Sequence, residues 1–205
     1  MLELWRKGGR ELSDFRLQNY SFIFQNTNLM KNFTAFENIA FTRMLQGYSQ
    51  FSCFQRTRKV LADLGLEHVD ERRKVKELSG GQQQRLAFAR AILPEFTVLF
   101  GDEPTGNLDA ENAVRVMEIL KRKLEEHQGA TAIIVSHDMP LAMRFADVIV
   151  KIDKRVRPKQ HEDEEDISYG FLDDSCVYVP VQGKGWTNGA KSYTPAEFEV
   201  FLKNK

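Results

Sequence analysis

The sequence predicts an α/β fold built on a parallel sheet, and three observations predict it. Two short apolar runs, FTVLF at 96–100 and TAIIVS at 131–136, lack the polar alternation of a half-exposed strand and read as strands covered on both faces. A capped helical segment separates them, and strand–helix–strand order favours parallel pairing through a crossover. Residues able to hold a ligand, Asp102, Glu103 and His137, stand at the C-terminal ends of these runs, where open α/β sheets bind.

Each element has its own signal. YSFIFQ at 20–25 reads as a buried strand ending at Gln25. Thr34 followed three residues later by Glu37 has capping-box spacing and predicts a helix through TAFENIAFTRML. Residues 54–66 predict a second helix closed by Gly65, and the charged connector EHVDERRKVKE leads into LSGGQQQR at 78–85. A helix is expected from about Gln82 to Leu93, where Pro94 stops it. Asp109 can cap AENAVRVMEILKRKLEEH, and the helix PLAMRFA and strand VIVKI complete the alternating pattern. From about Lys154 the character changes. RVRPKQHEDEEDISYGFLDD reads as a charged, solvated linker. Beyond it, a small strand–turn–helix appendage is expected, its helix capped by Thr194 with Pro195 at the first position. The expected division is 1–153 for the main domain and 154–205 for linker and extension.

Composition narrows the function. Lys plus Arg and Asp plus Glu both number 29, so no global field favours nucleic acid, and no nucleic-acid partner is expected. No run approaches the ~20 apolar residues of a membrane span. The N-terminus has no signal-peptide pattern, so work at a membrane would go through a partner. Cys53 and Cys176 are far apart and read as small buried apolar residues of a reducing compartment.

The chemistry sits in three places. At a strand end, adjacent Asp102 and Glu103 point in different directions, so one carboxylate can hold Mg²⁺ while the other orients a water. An isolated Asp-Glu pair would read as a helix cap, but the apolar strand before it and PTGNLD after it favour the site. His137, ending a buried strand, can contact a terminal phosphate. Ser79, Gly80 and Gly81 let a backbone approach an anion at the positive end of the following helix.

Together these residues resemble the nucleotide-binding subunits of ABC transporters. LSGGQQQR looks like the signature motif, FTVLFGDEPTGNLD like the Walker B strand with its D-loop, FIFQ like the Q-loop and VSHD like the H-loop. The resemblance covers about residues 15 to 153 and is nearest to bacterial exporters of the lipoprotein-releasing and macrolide-efflux type. It implies a P-loop NTPase-like parallel sheet with a helical subdomain at about 30–90, which docks transmembrane permease subunits. By the same resemblance, Gln25 contacts Mg²⁺ and the attacking water, Asp102 serves the metal and Glu103 the water. His137 clamps the γ-phosphate of ATP, and Asp109 lies at a dimer interface. Ser79, Gly80, Gly81 and Gln82 contact ATP on the opposite subunit of a homo- or heterodimer. The implied location is cytoplasmic, peripheral on the inner face of the membrane.

One part of that pattern is missing. The family's GxxxxGK[ST] loop, whose Lys and amides cradle phosphates, does not occur in the 205 residues. The sequence is expected to start between the P-loop helix and the Q-loop, as an N-terminally truncated cassette. Its sheet is then expected to lack a strand and expose an edge that invites aggregation. GKGWTNGAKS at 183–192 has suggestive residues at the wrong spacing and reads as a β-turn. Three readings follow: a cassette whose complete form hydrolyses ATP, a catalytically incomplete subunit lending its signature motif to a partner's P-loop, and a non-transport ABC ATPase. The last is disfavoured by balanced charge and the lack of a coiled coil or second cassette.

Overall fold

The computed structural model describes residues 9–70, 72–127, 129–157, 167–182 and 185–203, with backbone alone for 153–157 and 167–169. It divides into two compact units, Met1–His137 and Asp138–Lys205.

In the first unit α1 (Gly9–Asn19) runs directly into β1 (Tyr20–Ile23). Two helices follow, α2 (Ala35–Leu45) and α3 (Gln50–Asp63), then the signature helix α4 (Gly80–Ile92). Strand β2 (Val98–Asp102), helix α5 (Ala110–Glu126) and strand β3 (Thr131–Val135) complete it. The strands form one parallel sheet in the order β1-β2-β3.

Local chemistry sets the helix starts. Thr34 and Glu37 form a reciprocal capping box at α2, with Thr34 N–H donating to Glu37 at 2.8 Å and Glu37 N–H to Thr34 Oγ1 at 3.1 Å. The same device begins α4 at Gly80, two residues before the expected start, because Ser79 caps and Gln82 answers it. Asn38, fully buried, accepts from Met30 N–H at 2.8 Å and donates to the Met30 and Thr34 carbonyls, which fixes the loop before α2.

The core packs α2–α5 onto one sheet face, through Ile23 and Leu99 with Leu86, Phe88, Val116 and Leu120. The sequence implied strands covered on both faces. Instead, the row Phe22, Phe100 and Ile133, with Val135 beyond it, is exposed, Ile133 at 51% and Val135 at 59%. The physical reason is that the unit's main core cluster lies on the Ile23–Leu99 face.

Arg43 is buried and donates to Glu95 Oε1 at 2.9 Å and to the Leu93 carbonyl at 3.0 Å, while its guanidinium lies over Tyr48. Lys123 of α5 and His127, just beyond its end, approach the other Glu95 oxygen at 3.6 and 3.1 Å. Gln46 ties the Glu95 backbone to the Leu17 carbonyl of α1. Glu95 thus joins α1, α2 and α5.

In the second unit α6 (Met139–Phe145) is capped by Asp138. Strands β4 (Ile149–Val150), β7 (Val177–Val181), β8 (Gly185–Thr187) and β9 (Ser192–Tyr193) form an antiparallel sheet. Strands β5 (Asp153–Arg157) and β6 (Ile167–Phe171) form a separate two-stranded ladder, so the segment read as linker carries paired backbone. Its acidic cluster at 162–166 lies outside the described residues. Helix α7 (Pro195–Lys203) starts at Thr194, which exchanges cap bonds with Glu197. Tyr178, Trp186, Phe198 and Leu202 make the core.

The run VIVKI does not extend the parallel sheet. Only Ile149 and Val150 are strand, antiparallel to Tyr178 and Val177, because Ile149 alone turns into the aromatic core while Val150 is exposed. Within GKGWTNGAKS, Gly183 and Lys184 lie outside the described residues, and the remainder is β8, a turn and β9.

Two stability predictions follow from this packing. Burial raises the Glu95 carboxyl, but the Arg43 hydrogen bond and the charges of Lys123, His127 and Arg43 outweigh it and hold it below its ordinary 4.5. A depressed carboxyl contributes stability above its unfolded pKa, lost as pH falls through the folded value. Glu95→Ala should lower unfolding free energy by about 3 kcal/mol in neutral urea, by stranding the Arg43 charge. It should also flatten the native chain's loss of stability below about pH 4.5. Gly185 has φ +102, and a Cβ there would drive into the Tyr193 carbonyl. Gly185→Ala should therefore expose Trp186, read as a red-shifted tryptophan emission.

Candidate functional site

Parallel register brings the candidate residues to one edge. Ile23, Gly101 and Ile134 form a single row across the sheet. Gln25, Asp102 with Glu103, and His137 all follow that row within three residues. A Cβ at Gly101 would lie 2.7 Å from Ile134 Cδ1, the far end of that side chain, so the two residues pack closely in the row.

Immediately after β2 the backbone turns sharply. Glu103 has φ +47, a left-handed conformation uncommon for a residue with a Cβ. Its N–H donates to the Val135 carbonyl at 2.9 Å, and its carbonyl accepts from Gly106 N–H at 3.2 Å. The turn separates the neighbouring carboxylates. Asp102 is exposed, whereas the Glu103 side chain is 17% exposed and reaches His137. Glu103 Oε1 lies 2.7 Å from His137 Nδ1 and accepts the His137 backbone N–H at 3.1 Å. The His137 side chain is 81% exposed, so the pair reaches from the sheet edge to solvent. A carboxylate in this position can take a proton from a water and orient an imidazole through Nδ1.

Gln25 lies two residues beyond β1 and is exposed. Asp102 offers an exposed carboxylate, a hard oxygen donor suited to Mg²⁺. No group of three or more His, Cys, Asp or Glu among the described residues is placed to hold a metal ion by itself. Asp102 could serve only a cation that takes most of its oxygens from phosphate and water.

Ser79 Oγ accepts from Gln82 N–H at 3.3 Å, and Gln82 Oε1 accepts from Ser79 N–H at 2.9 Å. Ser79 and Gly80 are exposed. Gly80 has no positive φ, and a Cβ there would meet nothing within 4 Å, so the fold itself makes no demand for glycine. A Cβ on Gly81 would lie 3.7 Å from the Asn107 carbonyl, which sets the signature turn beside the loop after Glu103.

Asp109 caps α5 by accepting Asn112 N–H at 2.8 Å. That backbone bond, the Asn112 side chain and the charge of Arg85 hold its carboxyl below the usual range.

Two further residues tie the pieces together. Gln84, fully buried, donates to the Glu103 and Pro104 carbonyls. Arg85 donates to the Leu64 carbonyl at 3.0 Å and to Asn112 Oδ1 at 3.1 Å. The helical spacing of Gln84 with Phe88 and Ala91 puts an amide in an apolar stripe, and that was the signal available for it.

Known proteins resemble this chain in sequence and fold. The family model described as "ABC transporter" matches residues 5–106. A lipoprotein-releasing system ATP-binding protein LolD of Syntrophotalea carbinolica is 40% identical over 72% of this chain and 64% of its own length. LolD of Geobacter metallireducens is 36% identical over 75% of this chain and 68% of its own. A macrolide export ATP-binding/permease protein MacB of Mannheimia succiniciproducens is 43% identical over 64% of this chain, which spans only 20% of it. Among solved structures, the ATP-binding cassette MJ0796, dimeric in a post-hydrolysis state with ADP and Pi, superposes with a TM-score of 0.63. It is 33% identical over 70% of this chain and 62% of its own. The chain thus spans about two thirds of the LolD relatives and a fifth of MacB. On this shared sequence and fold, the chain belongs to the ABC transporter ATP-binding cassette family.

Proposed function

We propose that the chain is the ATP-binding subunit of an ABC transporter of the lipoprotein-releasing or macrolide-export type, coupling ATP binding and hydrolysis to transmembrane export. The observation that carries this reading is the Glu103–His137 pair at the C-terminal edge of a parallel sheet, in a unit that also presents an exposed Ser79–Gly81 turn at a helix N-terminus.

In this reading Glu103 orients a water and takes its proton as the oxygen attacks the γ-phosphorus and the bond to the ADP oxygen breaks. His137, oriented through Nδ1, contacts the departing phosphate. Asp102 and Gln25 would hold Mg²⁺, whose charge would offset that of the phosphates. Ser79, Gly80, Gly81 and Gln82 address ATP on a second cassette subunit, homologous or identical, with Asp109 at that interface. The nucleotide-binding part is 1–153, with its helical portion at about 30–90, and 154–205 is an extension.

The 205 residues hold no GxxxxGK[ST] segment, and in this reading a P-loop on other polypeptide would complete the site. No helix among the described residues is long and apolar enough to cross a membrane. Exposed Phe41, Leu45, Tyr48 and Phe51, the last at 72%, offer the helical part an apolar surface for permease subunits. That contact would hold the protein on the cytoplasmic face of the membrane.

Two outcomes test this. The 205-residue chain alone should show no ATP turnover, and turnover that vanished in Glu103→Gln would contradict the missing-half account. Ser79→Asp keeps a good helix cap and should change stability by less than about 0.5 kcal/mol. In a cassette completed by a P-loop segment it should abolish ATP-driven dimerisation, by placing a carboxylate against phosphate. Undiminished dimerisation on a sizing column would refute the assignment of that turn.

A further inference from the structure

We propose that Gln84 is a positioning residue for hydrolysis: from the buried face of α4 it holds the Glu103–Pro104 backbone in the left-handed turn that aims the Glu103 carboxylate at His137. This rests on the reading of Glu103 as the group that activates water.

Gln84 is fully buried, and its Nε2 donates to the Glu103 carbonyl at 3.4 Å and the Pro104 carbonyl at 3.1 Å. Both amide protons are used. Because both partners are acceptors, only the NH₂ end can face them, and that choice leaves Oε1 buried without a partner. An unpaired buried acceptor is costly, and a methionine of the same length would avoid it. The amide is therefore explained by the two carbonyls it holds.

Those carbonyls belong to a strained place. Among the described residues only Asn28 and Glu103 have positive φ without being glycine. Such strain persists where surrounding groups over-determine it. Side chains of α4 supply part of that restraint at both positions. Arg90 donates to the Asn28 carbonyl at 2.7 Å and the Thr27 carbonyl at 2.8 Å, behind Gln25, as Gln84 does behind Glu103. Ser79, which caps the same helix, stands five residues from Gln84.

Hydrogen exchange on the full 205-residue chain tests this. Gln84→Met should speed exchange of the Glu103 and Gly106 amides at least tenfold, while Leu86–Ile92 and Tyr20–Ile23 keep native protection. Unchanged exchange at 103–106, or an equal rise across all segments, would overturn the proposal. Should Gln84→Met not fold, Gln84→Glu decides. Its protonated form keeps one donor and its carboxylate none, so exchange at 103–106 relative to the native chain should rise with pH, and a flat ratio would overturn the proposal. In a cassette completed by a P-loop segment, Gln84→Met should lower kcat at least tenfold with KM for ATP within twofold. A completed native cassette that does not hydrolyse ATP would instead overturn the functional reading, and the exchange result would still judge Gln84.

Discussion

The row Ile23–Gly101–Ile134, set by parallel pairing, fixes where the strand-end groups Gln25, Asp102, Glu103 and His137 sit. A slip of one residue in β2 would turn Leu99 out of the core and carry Asp102 and Glu103 to opposite faces. With the row in place, three strand ends deliver an amide, two carboxylates and an imidazole to one edge. The left-handed turn at Glu103 then divides the carboxylates, one exposed and one drawn to His137. Each later feature of the site depends on that register.

Helix α4 works as the strut behind the edge. Near its start Gln84 and Arg85 reach the loop after β2, the Leu64 carbonyl and α5. Towards its end Arg90 holds the loop after β1. Arg43 bonds the Leu93 carbonyl just beyond it and connects onward to Glu95 and the cations of α5. Helix and sheet edge are thus linked by polar side chains to backbone carbonyls, which are more directional than apolar contacts alone. The helix that presents Ser79 outward is therefore also the one that holds the Glu103 turn inward.

Much of this was legible in the sequence, for stated reasons. The Thr34–Glu37 box, the Asp109 cap and the Thr194–Pro195 start are short-range hydrogen-bonding patterns, and local patterns survive folding. The parallel strands and the Glu103–His137 edge followed from apolar runs ending in polar residues. Other features were hidden. Helix α1 buries no residue and carries no apolar stripe to find. VIVKI has the composition of a parallel strand, yet pairing with Tyr178 is decided by an aromatic core built from residues 29 to 53 positions later. Spacing places Gln84 in the apolar stripe of α4 with Phe88 and Ala91, but its partners, the Glu103 and Pro104 carbonyls, are visible only in the fold.

The central claim is that the Ser79–Gly81 turn is half of an ATP site completed by a P-loop on another subunit. Intersubunit complementation tests it most directly. Two cassettes, each these 205 residues joined to a P-loop segment, would carry either Ser79→Arg or a disabled P-loop lysine, and vanadate-trapped nucleotide would be measured. The account predicts that neither variant traps nucleotide alone and that their mixture traps one per mixed dimer. Trapping by the Ser79→Arg cassette alone at the native level, or a mixture no better than its components, would contradict it.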